Sequence, residues 1–314
     1  MRFLKLATFL MLVSAAIPVT AFAAQHEKEG FSGYLDAGIF ALSSTDTLMV
    51  SGNNEEIDSL DDNSDSFGKA IAAFMFEVKY KKNSLTYHIG TPIQTGKPEF
   101  ELGITKAFAA SSVDVSLVLD PMAKVWKDPY VADRDDTDSH RSGLKITWSE
   151  IGGSPHYAYL KITSHDIEDD ETGKRFDSLE RDGVTNELGV GYKFRLQRRV
   201  FTPVVILRHD HREGDAESSK GADLKLIYTK IGKNGVLISA AQLGYDKYDE
   251  KNPIFGKTRQ DTKFTAFASY KWLSPFGWEN KHFAFALGVT DRFSNIDFYD
   301  AMTYFGGATF GIDF

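Results

Sequence analysis

The chain has no cysteine, and with it go disulfide frameworks, thiolate metal sites, thiol catalysis and lipoprotein anchoring. Long apolar runs are missing too. Past the first 23 residues no stretch approaches the ~18 apolar residues a membrane-spanning helix needs, so a helical membrane bundle is excluded. Basic charge is in deficit, 36 Lys and Arg against 44 Asp and Glu, for a formal net charge of −8. Nucleic acid, whose phosphates call for basic grooves, is therefore not an expected partner. Sequence signatures of chemistry are thin as well. No His-Glu-x-x-His or phosphate loop occurs, and Gly189-x-Gly191 lacks the rest of a dinucleotide fingerprint. What the chain has in quantity is aromatic side chains, 24 Phe, 13 Tyr and 4 Trp. That is too many for a chain that cannot bury apolar surface, so disorder is excluded.

The N-terminus reads as an export signal. Arg2 and Lys5 form a basic start, Leu6 to Val19 an apolar core, and Ala21-Phe22-Ala23 offers small residues at both positions a signal peptidase reads. Cleavage is expected near Ala23, giving a signal peptide over 1–23 and a mature chain over 24–314. Loss of Arg2 and Lys5 takes the mature net charge to about −10. The first strand begins so soon after the cut that no separate N-terminal plug is expected.

The rest of the chain alternates. Leu85, Tyr87 and Ile89 share one parity, with Thr86 and His88 between them; Phe100, Leu102 and Ile104 interleave with Glu99, Glu101, Gly103 and Thr105. Leu188, Val190, Tyr192, Phe194 and Leu196 oppose Glu187, Gly189, Gly191, Lys193 and Arg195. A strand turns successive side chains to opposite faces, so each run has an apolar face and a polar one.

A soluble sandwich would share that period, but three features favour a membrane barrel. Connections alternate in length: long near 43–66, 121–141, 165–183, 211–220 and 248–260, short at 81–83, 109–111, 152–155, 197–199 and 232–235. Outer-membrane barrels pair long outer loops with short periplasmic turns. The long connections are acidic; 43–66 holds Asp46, Glu55, Glu56, Asp58, Asp61, Asp62 and Asp65 with no Lys or Arg. The chain also ends on Phe314, with Phe310 and Ile312 on the same face, a last strand suited to recognition by barrel-assembly machinery.

The expectation is all-β: a transmembrane antiparallel up-and-down barrel of about 14 strands, with 12 as the alternative. The runs are 30–42, 67–80, 84–92, 98–108, 112–120, 142–150, 156–165, 184–196, 200–210, 221–231, 236–247, 261–272, 282–292 and 301–314. Most have the roughly 9–11 residues a tilted strand needs to cross a bilayer. An even count leaves both termini in the periplasm. Tyr80, Trp126, Trp148, Tyr192, Tyr270 and Trp272 read as interfacial girdles.

Six strings run in order along the mature chain: Gly30–Gly33, Trp126–Tyr130, Arg181–Gly183, Asn252–Arg259 (NPIFGKTR), Phe276–Asn280 (FGWEN) and Ser294–Asp300 (SNIDFYD). In these the chain resembles a family of proteobacterial outer-membrane proteins grouped as a domain of unknown function. The resemblance implies an outer-membrane barrel in a Gram-negative cell and implies no reaction. On this topology Trp126–Tyr130, 252–259 and 294–300 fall in outer loops, where their aromatic and turn residues suggest loops that pack on each other or enclose a vestibule.

The polar parity supplies candidate lumen residues: Glu77, Lys79, Glu99, Glu101, Asp114, Lys145, Glu187, Lys193, Arg195, Asp223, Lys225, Lys263, Lys271 and Arg292. Both signs occur in similar numbers, which predicts weak ion selectivity or ion pairs that partly fill the lumen. At about fourteen strands the barrel exceeds the eight that side chains alone can fill, yet is smaller than the 16–18-stranded porins. No catalytic residue, cofactor or metal is assigned. Asp61–Asp65 opens like a calcium loop, but Ser66 and Ala72 stand where the turn glycine and bidentate glutamate belong. His209 and His211 are too few for a metal site. The acidic loops, set beside anionic lipopolysaccharide, call for bridging divalent cations. The leading reading is a narrow passive channel for small hydrophilic solutes. The alternatives are a surface-interaction or envelope-structural barrel without an open pore, and a lipid hydrolase with a Ser–His–acid site near the outer rim.

Overall fold

A computed structural model describes residues 29–62, 64–91 and 99–314. The expected signal peptide, 1–23, lies outside the described residues. The ladder starts with β1 (Gly30–Ser44), β2 (Phe67–Lys82), β3 (Leu85–Gly90), β4 (Phe100–Phe108) and β5 (Ser111–Trp126). It continues through β6 (Asp136–Ser149), β7 (His156–Ile167) and β8 (Gly183–Tyr192 with Phe194–Leu196). After these come β9 (Arg199–Arg212), β10 (Ser219–Ile231) and β11 (Gly235–Asn252). The last are β12 (Lys257–Leu273), β13 (Lys281–Ser294) and β14 (Ala301–Asp313). Each strand pairs antiparallel with its neighbours in sequence. β14 pairs with β1, from Tyr34 opposite Asp313 to Ser44 opposite Thr303, so fourteen strands form a closed barrel. Beyond the ladder, Gly33 and Phe314 exchange both backbone bonds at 2.9 and 3.0 Å.

The exterior is apolar along the parity read from the sequence. Leu35, Ile39, Phe74, Leu102, Leu117, Leu188, Leu224, Leu243, Phe285 and Leu287 are all exposed. A monomer in water does not carry so large an apolar band; on a closed barrel it faces acyl chains. No helix of the described residues is long and apolar enough to cross a membrane, and the strands do the crossing. Tyr80, Trp148 and Tyr270 are exposed near the short-turn end, as girdle residues should be.

Two connections are shorter than the sequence suggests. The segment 121–141 reads as a loop because Pro121 has no N–H to give a ladder. The strand instead shifts register between Asp120 and Ala123 and resumes pairing as far as Trp126 opposite Asp136. Likewise 248–260 reads as a charged loop, but after an irregularity between Lys247 and Lys251 the pairing runs to Asn252 opposite Lys257. Six outer loops are described, L1 (45–66), L3 (127–135), L4 (168–182), L5 (213–218), L6 (253–256) and L7 (295–300); L2, the connection between Gly90 and Phe100, lies mostly outside the described residues. The opposite end has short turns. Among the described residues, the non-glycine residues with left-handed backbone all sit there: Asn83, Glu150, Gln197, Ser274, Phe276 and Asn280.

The inner wall has an apolar sector the alternation did not announce. Val204 and Ile206 on β9, Ile227 on β10, Val236 and Ile238 on β11 and Phe267 on β12 form one buried cluster. Tyr157 and Tyr159 from β7 pack against it. The Tyr159 ring lies over Gly189, where a methyl group would stand inside the ring. Each such side chain removed from water stabilises the barrel by about 1.5–3 kcal/mol.

If the exterior rows face lipid, Leu224→Arg near mid-strand on β10 destabilises the barrel by about 2–4 kcal/mol. Urea unfolding in lipid vesicles measures this; an unchanged midpoint contradicts the lipid-facing assignment.

Candidate functional site

Six of the outer loops, L1 and L3 to L7, send side chains into one buried cluster over the mouth. Tyr130 comes from L3, Leu179 from L4, Ala216 from L5, and Ile296, Phe298 and Tyr299 from L7. Leu48, Ile57 and Leu60 of L1, Phe176 of L4 and Ile254 and Phe255 of L6 pack around them. Phe298 and Leu179 are wholly buried. Tyr130 and Phe255 lie 5.9 Å apart between ring centres. L3 follows β5 and L6 follows β11, six strand positions apart on a ring of fourteen. With strands ~4.8 Å apart and tilted ~40°, such a ring is roughly 28 Å across. The aromatic contact therefore bridges almost opposite walls, and the loops form a cap rather than a fringe.

Polar bonds fasten the cap to the barrel. The Tyr130 hydroxyl meets that of Tyr299 at 2.6 Å and donates to Glu217 Oε1 at 3.3 Å; Asn252 Nδ2 donates to the Tyr299 hydroxyl at 2.9 Å. Arg259 stacks on the Tyr299 ring at 3.6 Å while binding Asp261 at 2.6 and 3.0 Å. Arg134 of L3 stacks on Trp126 at 4.5 Å and donates to the carbonyls of Thr47 (2.8 Å), Asn54 and Glu55 in L1. Burial lowers its pKa to about 10. Arg181 of L4 holds Asp170 at 2.6 Å and donates to the carbonyls of Trp126 and Lys127 at 2.8 Å. Gly214 of L5 packs so closely on the L4 backbone at Ser178 and Glu180 that a side chain would not fit.

Four of the six strings singled out in the sequence meet here: Trp126–Tyr130, Arg181–Gly183, Asn252–Arg259 and Ser294–Asp300. Trp126, expected as a girdle residue, is instead 2% exposed and donates its indole N–H to the Thr47 carbonyl at 3.1 Å. The extension of β5 past the register shift carries it above the bilayer and into the cap.

Beneath the cap, the ionisable residues chosen by parity lie opposite the exposed apolar rows, mostly in pairs. Lys79 binds Glu77 at 2.9 Å, Lys145 binds Glu101 at 3.0 Å and Lys161 binds Glu99 at 2.6 Å. Asp114 accepts from His88 and Thr105 at 2.7 Å and Ser116 at 2.5 Å. Glu187 accepts the Tyr159 hydroxyl at 2.6 Å. Arg208 joins Asp223 (3.2 Å) to Asp246 (2.9 Å), which also takes Lys263. Lys271 binds Asp313 at 2.8 Å, and Arg292 binds Asp46 at 2.9 Å. Lys193 sits over the Tyr157 ring at 5.3 Å, Lys225 is buried beside the apolar sector, and Arg195 pairs with Glu150 at the short-turn rim. Sequence reading missed the partners Lys161, Arg208, Asp246 and His88, and the pair Asp36–His282 at 2.8 Å. Parity alone could have found them, since each stands on the polar side of its run.

One row across the ladder holds no apolar side chain. It passes through Ser32, Lys79, His88, Gly103, Ser116, Lys145, Lys161, Glu187, Arg208, Gly221, Asp246, Asp261 and Ser294. Tilted strands make such a row climb. Lys79 is near a short turn, and Ser294 borders L7. The row is a polar ramp from one end of the barrel to the other.

Among the described residues no group of three or more His, Asp or Glu is placed to hold a metal. A Ser–His pair does form, Ser154 Oγ to His156 Nδ1 at 2.9 Å, but in a short turn at the end opposite the cap.

The chain belongs to the family described as a protein of unknown function (DUF2860), whose model matches residues 30–314. No curated protein matches it in sequence. Among solved structures it is similar to the loop L8 deletion mutant of OmpT, an outer membrane protein of Vibrio cholerae, at 9% identity and TM-score 0.41, covering 90% of this chain and 100% of that one. It is also similar to OpdK of Pseudomonas aeruginosa with vanillate, at 8% identity and TM-score 0.40, covering 91% and 99%. A bacterial polysaccharide outer membrane secretin shares 9% identity at TM-score 0.42, covering 88% and 98%. Likenesses this distant say nothing about the chemistry of the site.

Truncating Tyr130 or Phe298 to Ala removes about 3–5 kcal/mol of cap packing. Protease cleavage within L3 and L7 should accelerate while the barrel itself stays resistant. Burial raises the Glu217 carboxyl above its ordinary range, against the pull of Arg259, Arg181 and Arg212. Burial and neighbouring carboxylates shift Glu180 and Asp182 upward as well. A raised acid favours the folded cap with its proton on. The cap is thus firmest below the ordinary carboxylate pKa and loosens as pH rises through the raised value. Hydrogen exchange of L5 and L7 across that range measures this, and Glu217→Gln should flatten the dependence.

Proposed function

We propose that the protein is an outer-membrane channel for small hydrophilic solutes, narrow in bore and held shut at its outer mouth by the six-loop cap. The observation that carries this reading is the polar ramp. A barrel that served only as an anchor for surface loops would be free to fill its inside with apolar side chains, as it does on β9–β12. Here a line of charge instead continues past that sector. Groups on it and their ion-pair partners keep contact with solvent: the side chains of Lys161 and its partner Glu99 are 20% and 29% exposed, and that of Lys263, the partner of Asp246, is 29% exposed. Water and small polar solutes have a route along those groups.

Cross-strand pairs narrow that route. Lys161 to Glu99 spans from β7 to the residue that precedes β4, and Lys145 to Glu101 from β6 to β4. Paired charges of both signs give little net selectivity, and a bore lined by them suits solutes the size of a few water molecules across. The exterior band, and the short-turn end at which the ladder begins with Gly30 and closes with Phe314, support insertion with the cap loops outward. Lipopolysaccharide, with divalent cations between its phosphates and the acidic loops, surrounds the outer rim in this reading, and the β14 end at Phe314 is the part offered to the assembly machinery. No reaction is proposed. A lipid hydrolase would need a Ser–His–acid chain at the outer rim, and the Ser154–His156 pair is at the wrong end.

Single-channel recording in planar bilayers tests the proposal. The wild-type protein should give small, infrequent unitary currents, and Tyr130→Ala with Phe298→Ala should raise the open probability several-fold. Replacing Lys161 and Glu99 together by Leu should lower the unitary conductance. A correctly folded, inserted protein that stays silent even without its cap aromatics overturns the channel and leaves the surface-interaction barrel.

A further inference from the structure

Charge is divided between the two ends of the barrel. L1 alone holds seven carboxylates and neither Lys nor Arg, whereas the opposite end collects cations. Lys82, Lys106, Arg198, Arg199, Lys230 and Lys233 are exposed at or beside its short turns. The last four gather on two neighbouring turns, β8–β9 and β10–β11. Arg199 and Lys230 are direct cross-strand partners. Beside them the Arg198 carbonyl accepts from the Ile231 N–H at 2.9 Å, and Lys233 follows two residues later.

Like charges directly opposite on one face of a sheet repel. Among the described residues neither side chain of this pair makes an ion pair or hydrogen bond that relieves it. The acids of this end are placed elsewhere. Glu150 binds Arg195 at 2.9 Å, and Asp313 binds Lys271 at 2.8 Å. Glu29 accepts from the Asn83 N–H at 2.8 Å, and Glu279 stands on the β12–β13 turn.

The pair points outward, to the lipid side. Its parity is that of Val205 on β9 and Leu224 on β10, both exposed. The next row toward the bilayer centre is aromatic: Phe194 lies opposite Phe201, and Phe201 opposite Tyr228. The Phe201 and Tyr228 ring centres are 4.8 Å apart. Leu196, opposite Arg199, is 59% exposed. Aromatic rings of a girdle mark the level at which acyl chains give way to headgroups. Cations one row farther out are at the depth of lipid phosphates.

We propose that Arg198, Arg199, Lys230 and Lys233 form a binding site for an anionic phospholipid of the inner leaflet. Its acyl chains lie along Phe194, Phe201 and Leu226, and its phosphate sits between Arg199 and Lys230. The guanidinium fork takes two phosphate oxygens, and the charge of the lipid removes the repulsion between β9 and β10. A zwitterionic lipid brings its own ammonium to the same cations and is disfavoured. The insertion direction given above supplies only the leaflet; the site stands on exterior geometry, whether or not the lumen conducts.

Native mass spectrometry tests this on the folded protein released from micelles that hold equal amounts of phosphatidylglycerol and phosphatidylethanolamine. Each cation near an anionic lipid surface contributes about a fivefold preference. Wild type should therefore retain phosphatidylglycerol about tenfold or more over phosphatidylethanolamine. Arg199→Gln with Lys230→Gln should lose most of that preference, and Lys230→Gln alone serves if the pair fails to fold. Arg199→Lys with Lys230→Arg keeps both charges and should keep the preference. Lys82→Gln with Lys106→Gln, on β2 and β4, should leave it nearly unchanged. Equal retention of the two lipids by wild type, or an unaltered preference in the folded Gln variants, overturns the site. Displacement of the lipid by a soluble muropeptide also overturns it and assigns the surface to the cell wall. Planar-bilayer currents should be the same in all these variants, so loss of the lipid site and loss of the channel reading are told apart.

Discussion

Hydrocarbon offers no partner to a backbone N–H or carbonyl, and that one deprivation organises the whole molecule. A sheet in lipid must have no edge, so β14 returns to β1 along most of both strands, Tyr34–Ser44 against Thr303–Asp313, and the terminal residue is tied to Gly33. Closure with tilted strands then fixes a circumference and a stagger. The stagger turns a row of cross-strand neighbours into a climbing line, and the identity of the residues on it makes the line polar. The most route-like feature of the interior therefore follows from the same demand that abolished the edges.

The circumference creates a second problem at the outer mouth. A ring of fourteen strands is too wide for its own side chains to close. The chain meets this with residues carried above the ladder, on hairpins that extend past the bilayer on β5, β6, β11 and β12. Their tips supply Tyr130 and Phe255, and L7 supplies Phe298 between them. The cap thus has the composition of a small protein core, with apolar rings inside and arginines around them. Arg134, Arg181 and Arg292 tie carbonyls and carboxylates of different segments together, and Arg259, fixed by Asp261, stacks on Tyr299, which apolar contact alone would not orient. Glu217 sits inside this arrangement as an acid in a place better suited to its neutral form.

The strands were legible because lipid imposes a strict rule on one face. Every second residue must be apolar, so Leu102, Leu188 and Phe264 stand out whatever their partners do. The inner face obeys no such rule. Val204–Leu207 is apolar on both parities, as is much of Val236–Ala241, and a period of two cannot say that these residues meet inside. The cap was half legible. Its strings were visible as aromatic and turn-rich loops, but a contact between Tyr130 and Phe255 depends on where strands six places apart bring their ends. Trp126 and Arg141 were misplaced for one shared reason. Pro121 reads as the end of a strand, so the ladder that continues beyond it, and everything that ladder positions, was assigned to a loop.

The apolar sector on β9–β12 has a bearing on the chain's life before it reaches a membrane. In the halves nearer the short turns these four consecutive strands are greasy on both sides, toward Val205 and Leu226 outside and toward Ile206 and Ile238 inside. Elsewhere an unfolded hairpin can at least turn its polar side to water. Here that side is small, so these half-strands are the part of the polypeptide that most needs an escort across an aqueous compartment. It is also the part that gains most by collapsing early on itself.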